Sequence, residues 1–161
     1  MQIKGQNSMW TTALIVALHT LAAIVWVGGA FFAYVALRPS IAPLEPPQRL
    51  ALWRRTFDHF FPWVWIAVLA LPMTGFALVI GTFGGFANVG SHIHIMNGFG
   101  MVMILLFVVL YGGPYKGFTD AIDKEDWPIA AAKLKTIRRI VVVNLTLGLI
   151  TSAVGASGRF W

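Results

Sequence analysis

A single histidine in the first apolar segment is the residue of this chain best suited to metal chemistry. His19 is the only side chain between Lys4 and Arg38 that can carry a charge near neutral pH. It lies in a run of 28 apolar or small residues from Trp10 to Leu37. As a helix, such a run is about 42 Å long, more than the ~30 Å hydrocarbon core of a bilayer. An ionisable side chain at that depth is a functional-site candidate, and imidazole is a frequent ligand of metals and of haem iron.

A second cluster of candidate ligands opens the third apolar segment, where His92 and His94 are separated by one residue. In a helix, positions i and i+2 point roughly 200° apart, so the two imidazoles would not both face a helical bundle. The face of His94 continues through Asn97, Gly98 and Met101, which are mostly polar or small. We therefore expect His94 to point inward and His92 to lie at the level of the lipid headgroups.

Two imidazoles on facing helices form the axial pair of a b-type haem, and the core of a helical bundle is a usual place for one. We predict that His19 and His94 bind the iron, that Trp26 and Gly29 pack against the macrocycle, and that Arg159 binds a propionate. A c-type haem is excluded because the chain contains no cysteine.

Copper is the alternative metal. The residues His92-x-His94-x-Met96 combine two imidazoles with a thioether, a set that suits copper. The local conformation of residues 92–96 distinguishes copper from haem. An extended segment places His92, His94 and Met96 on one face and favours copper, whereas a helix separates them and favours haem. A further alternative is a small structural subunit of a larger membrane complex, for which the sequence offers no positive sign.

The composition indicates what kind of protein carries these residues. Of the 161 residues, 58% are hydrophobic and only 11% are charged, which predicts a single transmembrane domain over residues 1–161 and no soluble domain. The absence of cysteine excludes disulfides, thiolate metal sites and a cysteine nucleophile. No paired-carboxylate site, nucleophile triad or phosphate loop supports hydrolase chemistry.

Four apolar segments are near or above the ~20 residues that a transmembrane helix needs. The predicted spans cover residues 10–37, 60–82, 91–115 and 137–156, approximately. The expected fold is an all-α bundle of four transmembrane helices. We expect the Gly112-Gly113-Pro114 triplet to end the third helix.

Most of the charged residues lie in the loops on one side of the predicted membrane. Ten of the twelve basic residues, and every acidic residue, lie in the first and third loops or at the start of the fourth span. The positive-inside rule therefore places those loops in the cytoplasm and both termini on the outer, periplasmic side of a bacterial inner membrane. The net charge of +6 reflects this asymmetry, so the expected partner is the lipid bilayer and not nucleic acid.

Two stretches resemble a known family. LHTLAAIVWVGGAFFAYVALRP (residues 18–39) places a histidine seven residues before Trp-x-Gly-Gly and ends in Arg-Pro. IRRIVVVNLTLGLITSAVG, followed by GRFW, closes the chain. Over essentially its whole length the chain resembles the copper-resistance protein D (CopD)-like membrane family. Its four-span core is also similar to HemJ-type protoporphyrinogen oxidases, which bind one b-type haem through a first-helix histidine and a lysine in a His-x-Lys context.

The resemblance implies that His19 is a haem ligand and that His92-x-His94 occupies the His-x-Lys position, with His94 in place of the lysine. This replacement argues against protoporphyrinogen oxidase activity and leaves open whether the protein is an enzyme. The expected role is electron transfer or oxidation, HemJ-like or linked to quinone, with quinone or a tetrapyrrole as the apolar partner. The family name keeps copper as the alternative, and assembly as a homo-oligomer or in a larger membrane complex stays open.

Overall fold

The computed structural model describes residues 2–160, with side chains for residues 9–158 and 160. The described part of the chain contains four helices long and apolar enough to cross a membrane and no strand, which confirms the predicted all-α bundle. We call these helices span 1 to span 4, and they cover Met9–Ser40, Pro46–Gly81, Ser91–Asp123 and Trp127–Ser157.

Span 1 is not a uniform α-helix. It is α-helical over Gln2–Ala23 and π-helical over Ile24–Gly28 and Phe32–Leu37, with short α-helical pieces at Gly29–Phe31 and Arg38–Ser40. A π-helical turn holds more residues than an α-helical one and frequently occurs at functional sites. The π-helical segments therefore change which side chains of span 1 face the bundle in the residues that follow His19.

Span 2 begins at Pro46, well before the apolar segment that predicts it. Proline suits the first turn of a helix because its missing N–H has no helical partner there. The buried side chains recur every three or four residues, so one face of the helix packs inward. These residues are Leu50, Trp53, Phe57, Phe61, Val64 and Val68.

Span 3 continues through the triplet that we expected to end it. The chain is α-helical over Ser91–Leu110, π-helical over Tyr111–Tyr115 and α-helical again over Lys116–Asp123. The predicted stop is therefore wrong. Beyond the triplet, Tyr115 and Phe118 are buried against the other spans, and this tertiary packing outweighs the weak helix propensity of glycine and proline.

The spans pack as two closely associated pairs, span 1 with span 2 and span 3 with span 4. Many large apolar side chains on their outer faces are exposed, including Leu14, Leu18 and Leu21 of span 1. Such a surface suits lipid, which solvates apolar side chains as water cannot. One end of the bundle carries the start of span 1 and the end of span 4, and we call it the termini end. The opposite end carries the charged loops and is called the charged-loop end.

An aromatic cluster fills the bundle toward the charged-loop end. The ring of Phe61 lies 4.9 Å from that of Phe57, 5.5 Å from Phe107 and 4.8 Å from Tyr115, measured between centroids. Such offset and edge-on contacts stabilise beyond the burial of area alone. The cluster joins spans 2 and 3 and leaves little free volume in this half of the bundle.

Arg54 anchors a polar network beside the aromatic cluster. Its Nε atom lies 3.0 Å from a carboxylate oxygen of Asp58, and its Nη1 atom lies 3.2 Å from Asp123 Oδ1. The Tyr115 hydroxyl also donates to Asp58. Since Arg54 and Asp58 belong to span 2, whereas Tyr115 and Asp123 belong to span 3, this network fixes the two spans to each other.

Candidate functional site

The termini end of the bundle contains a cavity of about 690 Å³, partly open to the surroundings, to which all four spans contribute. This volume lies within the range of about 300–1,000 Å³ that is usual for small-molecule sites. Residues with little or no side chain leave the space open. They include Ala23, Gly28, Gly75, Gly100 and Gly155.

His19 lines this cavity, and none of the other histidines in the described part of the chain does. Its Nδ1 atom lies 2.8 Å from Thr74 Oγ1 on span 2. The Thr74 hydroxyl donates its single hydrogen to the Ala70 carbonyl at 2.6 Å, so Oγ1 accepts the hydrogen of His19 Nδ1. In this tautomer Nε2 carries the lone pair, the atom that a metal ion or haem iron would bind.

Span 2 is shaped to receive the imidazole. A Cβ atom added to Gly75 would lie 3.4 Å from His19 Cε1, so the ring packs directly against the backbone of span 2 beside Thr74. A hydrogen bond from the second ring nitrogen is the usual way in which a metal-binding histidine is oriented. Sequence reasoning missed Thr74. The available signal was a hydroxyl followed by glycine within an apolar span.

The structure does not place His94 in the cavity. His94 is exposed, and its ring centroid lies 6.0 Å from that of Phe86. His92 is half-buried and packs on the end of span 4, where a Cβ atom on Gly158 would lie 2.3 Å from His92 Cγ. The expected facing directions of the two histidines are therefore wrong, because the more buried of the pair is His92.

The geometry of span 3 explains this difference. The cavity is lined by Ile93, Asn97, Gly100 and Ile104, which recur at spacings of three and four along one helical face. His94 follows Ile93 by one residue and therefore points about 100° away from that face. His94 lies at the margin of the cavity, and its assignment as an iron ligand stays a prediction.

The three candidate copper ligands do not share a face. Residues 92–96 are helical, so only His92 and Met96, four residues apart, lie on one side. Both pack against span 4, since a Cβ atom on Gly155 would lie 2.8 Å from Met96 Cε. Within the described side chains, no group of three or more His, Cys, Asp or Glu residues could hold a metal ion. The thioethers of Met96, Met101 and Met103 do line the His19 cavity.

The remaining predicted site residues are placed differently. Trp26 lines the cavity, is 4% exposed and packs edge-on against Phe107 with the ring centroids 6.1 Å apart. Gly29 does not line the cavity but allows a close contact with span 2, where a Cβ atom would lie 2.3 Å from Phe60 Cε2. The side chain of Arg159 lies outside the described residues.

Among the described residues that line the cavity, Thr151 has a buried polar atom without a hydrogen-bond partner. The hydroxyl of Thr151, on span 4, is buried and unpaired. The cavity is otherwise mainly apolar, with Asn97 of span 3 as a further polar group. Ligand sites commonly combine an apolar wall with a few polar groups that fix orientation.

Four membrane spans around a cavity of ligand size, lined by one oriented imidazole, define a multi-pass membrane protein with a candidate ligand-binding site between its helices. The family model described as CopD, Copper resistance protein D, matches residues 54–157, well over half of the sequence, so the chain belongs to this family. The matched range excludes His19. Comparison with curated proteins and with solved structures finds no match.

Proposed function

We propose that this protein is an integral membrane b-type haem protein that acts in electron transfer or oxidation, with His19 Nε2 as an axial ligand of the iron. The observation that carries the proposal is the His19–Thr74 hydrogen bond, which orients one imidazole in a large apolar cavity. Haem would supply one-electron chemistry at this site. The cavity is far larger than a bound metal ion requires, and this volume favours a flat organic cofactor.

The residues that line the cavity could hold a haem through one ligand of the iron, His19. His19 presents a lone pair, and the small residues Gly28, Gly75 and Gly100 leave room beside it. The second axial position is proposed for His94, which lies at the margin of the cavity on the first turn of span 3.

The chain's own residues have distinct tasks in this proposal. Thr74 holds His19 in the tautomer that leaves Nε2 unprotonated. The apolar wall excludes water and thereby strengthens electrostatic interactions within the site. The exposed apolar faces of the spans give a lipid-soluble partner, a quinone or a tetrapyrrole, a route to the cavity through the bilayer.

We also propose that the charged loops face the cytoplasm and that the termini end faces the periplasm of a bacterial inner membrane. The support is the concentration of basic residues in two of the three loops. In this orientation the His19 cavity belongs to the outer half of the bilayer. The bilayer contacts of the spans follow from their composition, whereas a homo-oligomer or a larger complex remains a proposal.

A difference spectrum tests the haem directly. The full chain is purified from cells supplied with a haem precursor, and absorption is compared before and after reduction with dithionite. We expect a haem Soret band in the wild type and its loss in His19→Ala. His59→Ala is the matched control, because His59 is exposed and its Nδ1 atom contacts the Arg55 carbonyl away from the cavity. A colourless wild-type protein would contradict the proposal.

Copper is the second candidate, and two observations favour it. The chain belongs to the CopD family, and the thioethers of Met96, Met101 and Met103 line the same cavity as His19. Imidazole and thioether groups are suitable ligands for Cu(I). Elemental analysis of the purified protein separates the candidates: copper that is lost in His19→Ala or Met96→Leu, without a haem band, would establish copper. A protein that binds neither would support the structural-subunit alternative.

A further inference from the structure

A second pocket, at the charged-loop end, is lined by two arginines from different spans. Arg38 lies at the end of span 1 and Arg138 near the start of the apolar part of span 4. Trp53 of span 2 lines the same pocket. The pocket is partly open, its wall is mainly apolar and its free volume is about 40 Å³, so it admits a small group and not a macrocycle. This site is separate from the His19 cavity.

Neither arginine is neutralised by a carboxylate. Within the described part of the chain, the ion pairs are those of Arg54 with Asp58 and Asp123. The guanidinium of Arg138 instead lies over the ring of Trp53, 5.5 Å from its centroid. That of Arg38 lies over Tyr34 at 5.1 Å. The pocket therefore carries two positive charges without an anion.

Two buried hydrogen-bond donors at this pocket also lack an acceptor. Arg138 Nε and Trp53 Nε1 are both buried and have no hydrogen-bond partner. Trp53 is only 3% exposed, so an acceptor reaches these donors only when the side chains that cover them move. Buried donors are almost always paired in folded proteins, and an unpaired one costs about 1–3 kcal/mol. An anion with several acceptor oxygens would satisfy both donors and both charges.

We propose that this pocket binds the phosphate group of an anionic phospholipid from the leaflet next to the charged loops. Basic pockets between transmembrane helices bind such headgroups, and arginine forms strong charge-assisted hydrogen bonds with phosphate. Apolar side chains of all four spans, among them Phe60, Val64 and Val141, line the same pocket and would contact the glycerol and the first acyl carbons. The ligand is thus anionic at one end and apolar at the other.

Native mass spectrometry tests this site on the delipidated full chain. Phosphatidylglycerol and phosphatidylcholine are titrated separately, and the fraction of protein with bound lipid is measured. We expect selective binding of phosphatidylglycerol that weakens roughly fivefold in Arg138→Gln and in Arg38→Gln, the size usual for one basic side chain at an anionic lipid surface. Arg139→Gln is the matched control, since Arg139 is the exposed neighbour of Arg138 and does not line the pocket.

Two milder variants separate the site from general surface charge. Arg138→Lys keeps the charge but removes the Nε donor, and Trp53→Phe keeps a ring but removes the indole N–H. We expect both to weaken binding while the helical circular dichroism signal is retained.

Equal effects of Arg138→Gln and Arg139→Gln would overturn the proposal. So would inorganic phosphate that competes as well as the lipid, because the site would then take a free anion. His19→Ala leaves this binding unchanged, so its outcome is distinguishable from that of the haem proposal.

Discussion

His19 of span 1 donates the hydrogen of Nδ1 to the hydroxyl of Thr74 on span 2. This contact fixes both the tautomer and the direction of the only imidazole that lines the cavity among the described residues. A metal or haem site depends on such a supporting hydrogen bond as well as on its ligands.

The Thr74 hydroxyl can be removed with little change in side-chain volume. We expect Thr74→Val to weaken haem binding by about 10–100-fold, since this is the usual effect of removing the hydrogen bond that orients a ligating histidine. Titration of the apoprotein with haemin, followed by absorption, measures the affinity. Thr74→Ser keeps the hydroxyl and should bind as the wild type does. Wild-type affinity in the valine variant would show that Thr74 does not orient the ligand.

The role of His94 can be separated from that of His19. Because His94 is exposed and does not line the cavity, whereas Thr74 orients His19 within it, we expect His94→Ala to lose part of its haem and His19→Ala to lose nearly all of it. Haem content per protein, measured as the pyridine haemochrome, gives the comparison. A wild-type haem content in His94→Ala would contradict the proposal that His94 is the second axial ligand.

Two adjacent glycines of span 1 should respond differently to the same substitution. A methyl group on Gly29 would clash with the Phe60 ring, whereas one on Gly28 would meet nothing within 4 Å. We expect Gly29→Ala to destabilise the bundle by about 1–3 kcal/mol through overpacking. Gly28→Ala should leave stability unchanged or slightly raised, because alanine favours helix. Thermal unfolding in detergent, followed by circular dichroism, tests the difference; equal melting temperatures would show that Phe60 moves aside freely.

The polar network at the charged-loop end predicts coupling between spans 2 and 3. Tyr115→Phe removes the hydroxyl that donates to Asp58, and we expect a loss of about 1 kcal/mol. A double-mutant cycle of Tyr115→Phe with Asp58→Asn should show a coupling energy of about 0.5 kcal/mol or more, since residues in one network are not additive. Denaturant unfolding of the four proteins measures it. Additive effects would mean that the two side chains do not stabilise each other.

The proposed orientation can be tested with single cysteines, because the chain contains none. We expect Ala87→Cys, in the uncharged loop, to react with a membrane-impermeant maleimide in intact spheroplasts. Lys124→Cys, in the loop between spans 3 and 4, should react only after the membrane is permeabilised. Both positions are exposed, which makes them a matched pair. The opposite labelling pattern would reverse the orientation.

The sequence predicts the bundle well because apolar length alone identifies a membrane span. It is less informative about where helices end, since Tyr115 and Phe118 carry span 3 past a Gly-Gly-Pro triplet by packing that is not visible locally. His19 is identifiable from the sequence because an ionisable residue stands out in an apolar run. The facing direction of His94 is not, because one residue of register rotates a side chain by about 100°. Thr74 could not be paired with His19 without knowing that spans 1 and 2 are neighbours.

Trp26 lines both the His19 cavity and the second pocket, which Arg38 and Arg138 line, and it is the described residue that the two share. Its indole packs on Phe107, which in turn contacts the rings of Phe61 and Trp65. None of these four side chains exchanges protons near neutral pH, so they provide no path for proton transfer between the two halves of the bundle. We therefore expect protons to reach His19 from the termini end of the bundle.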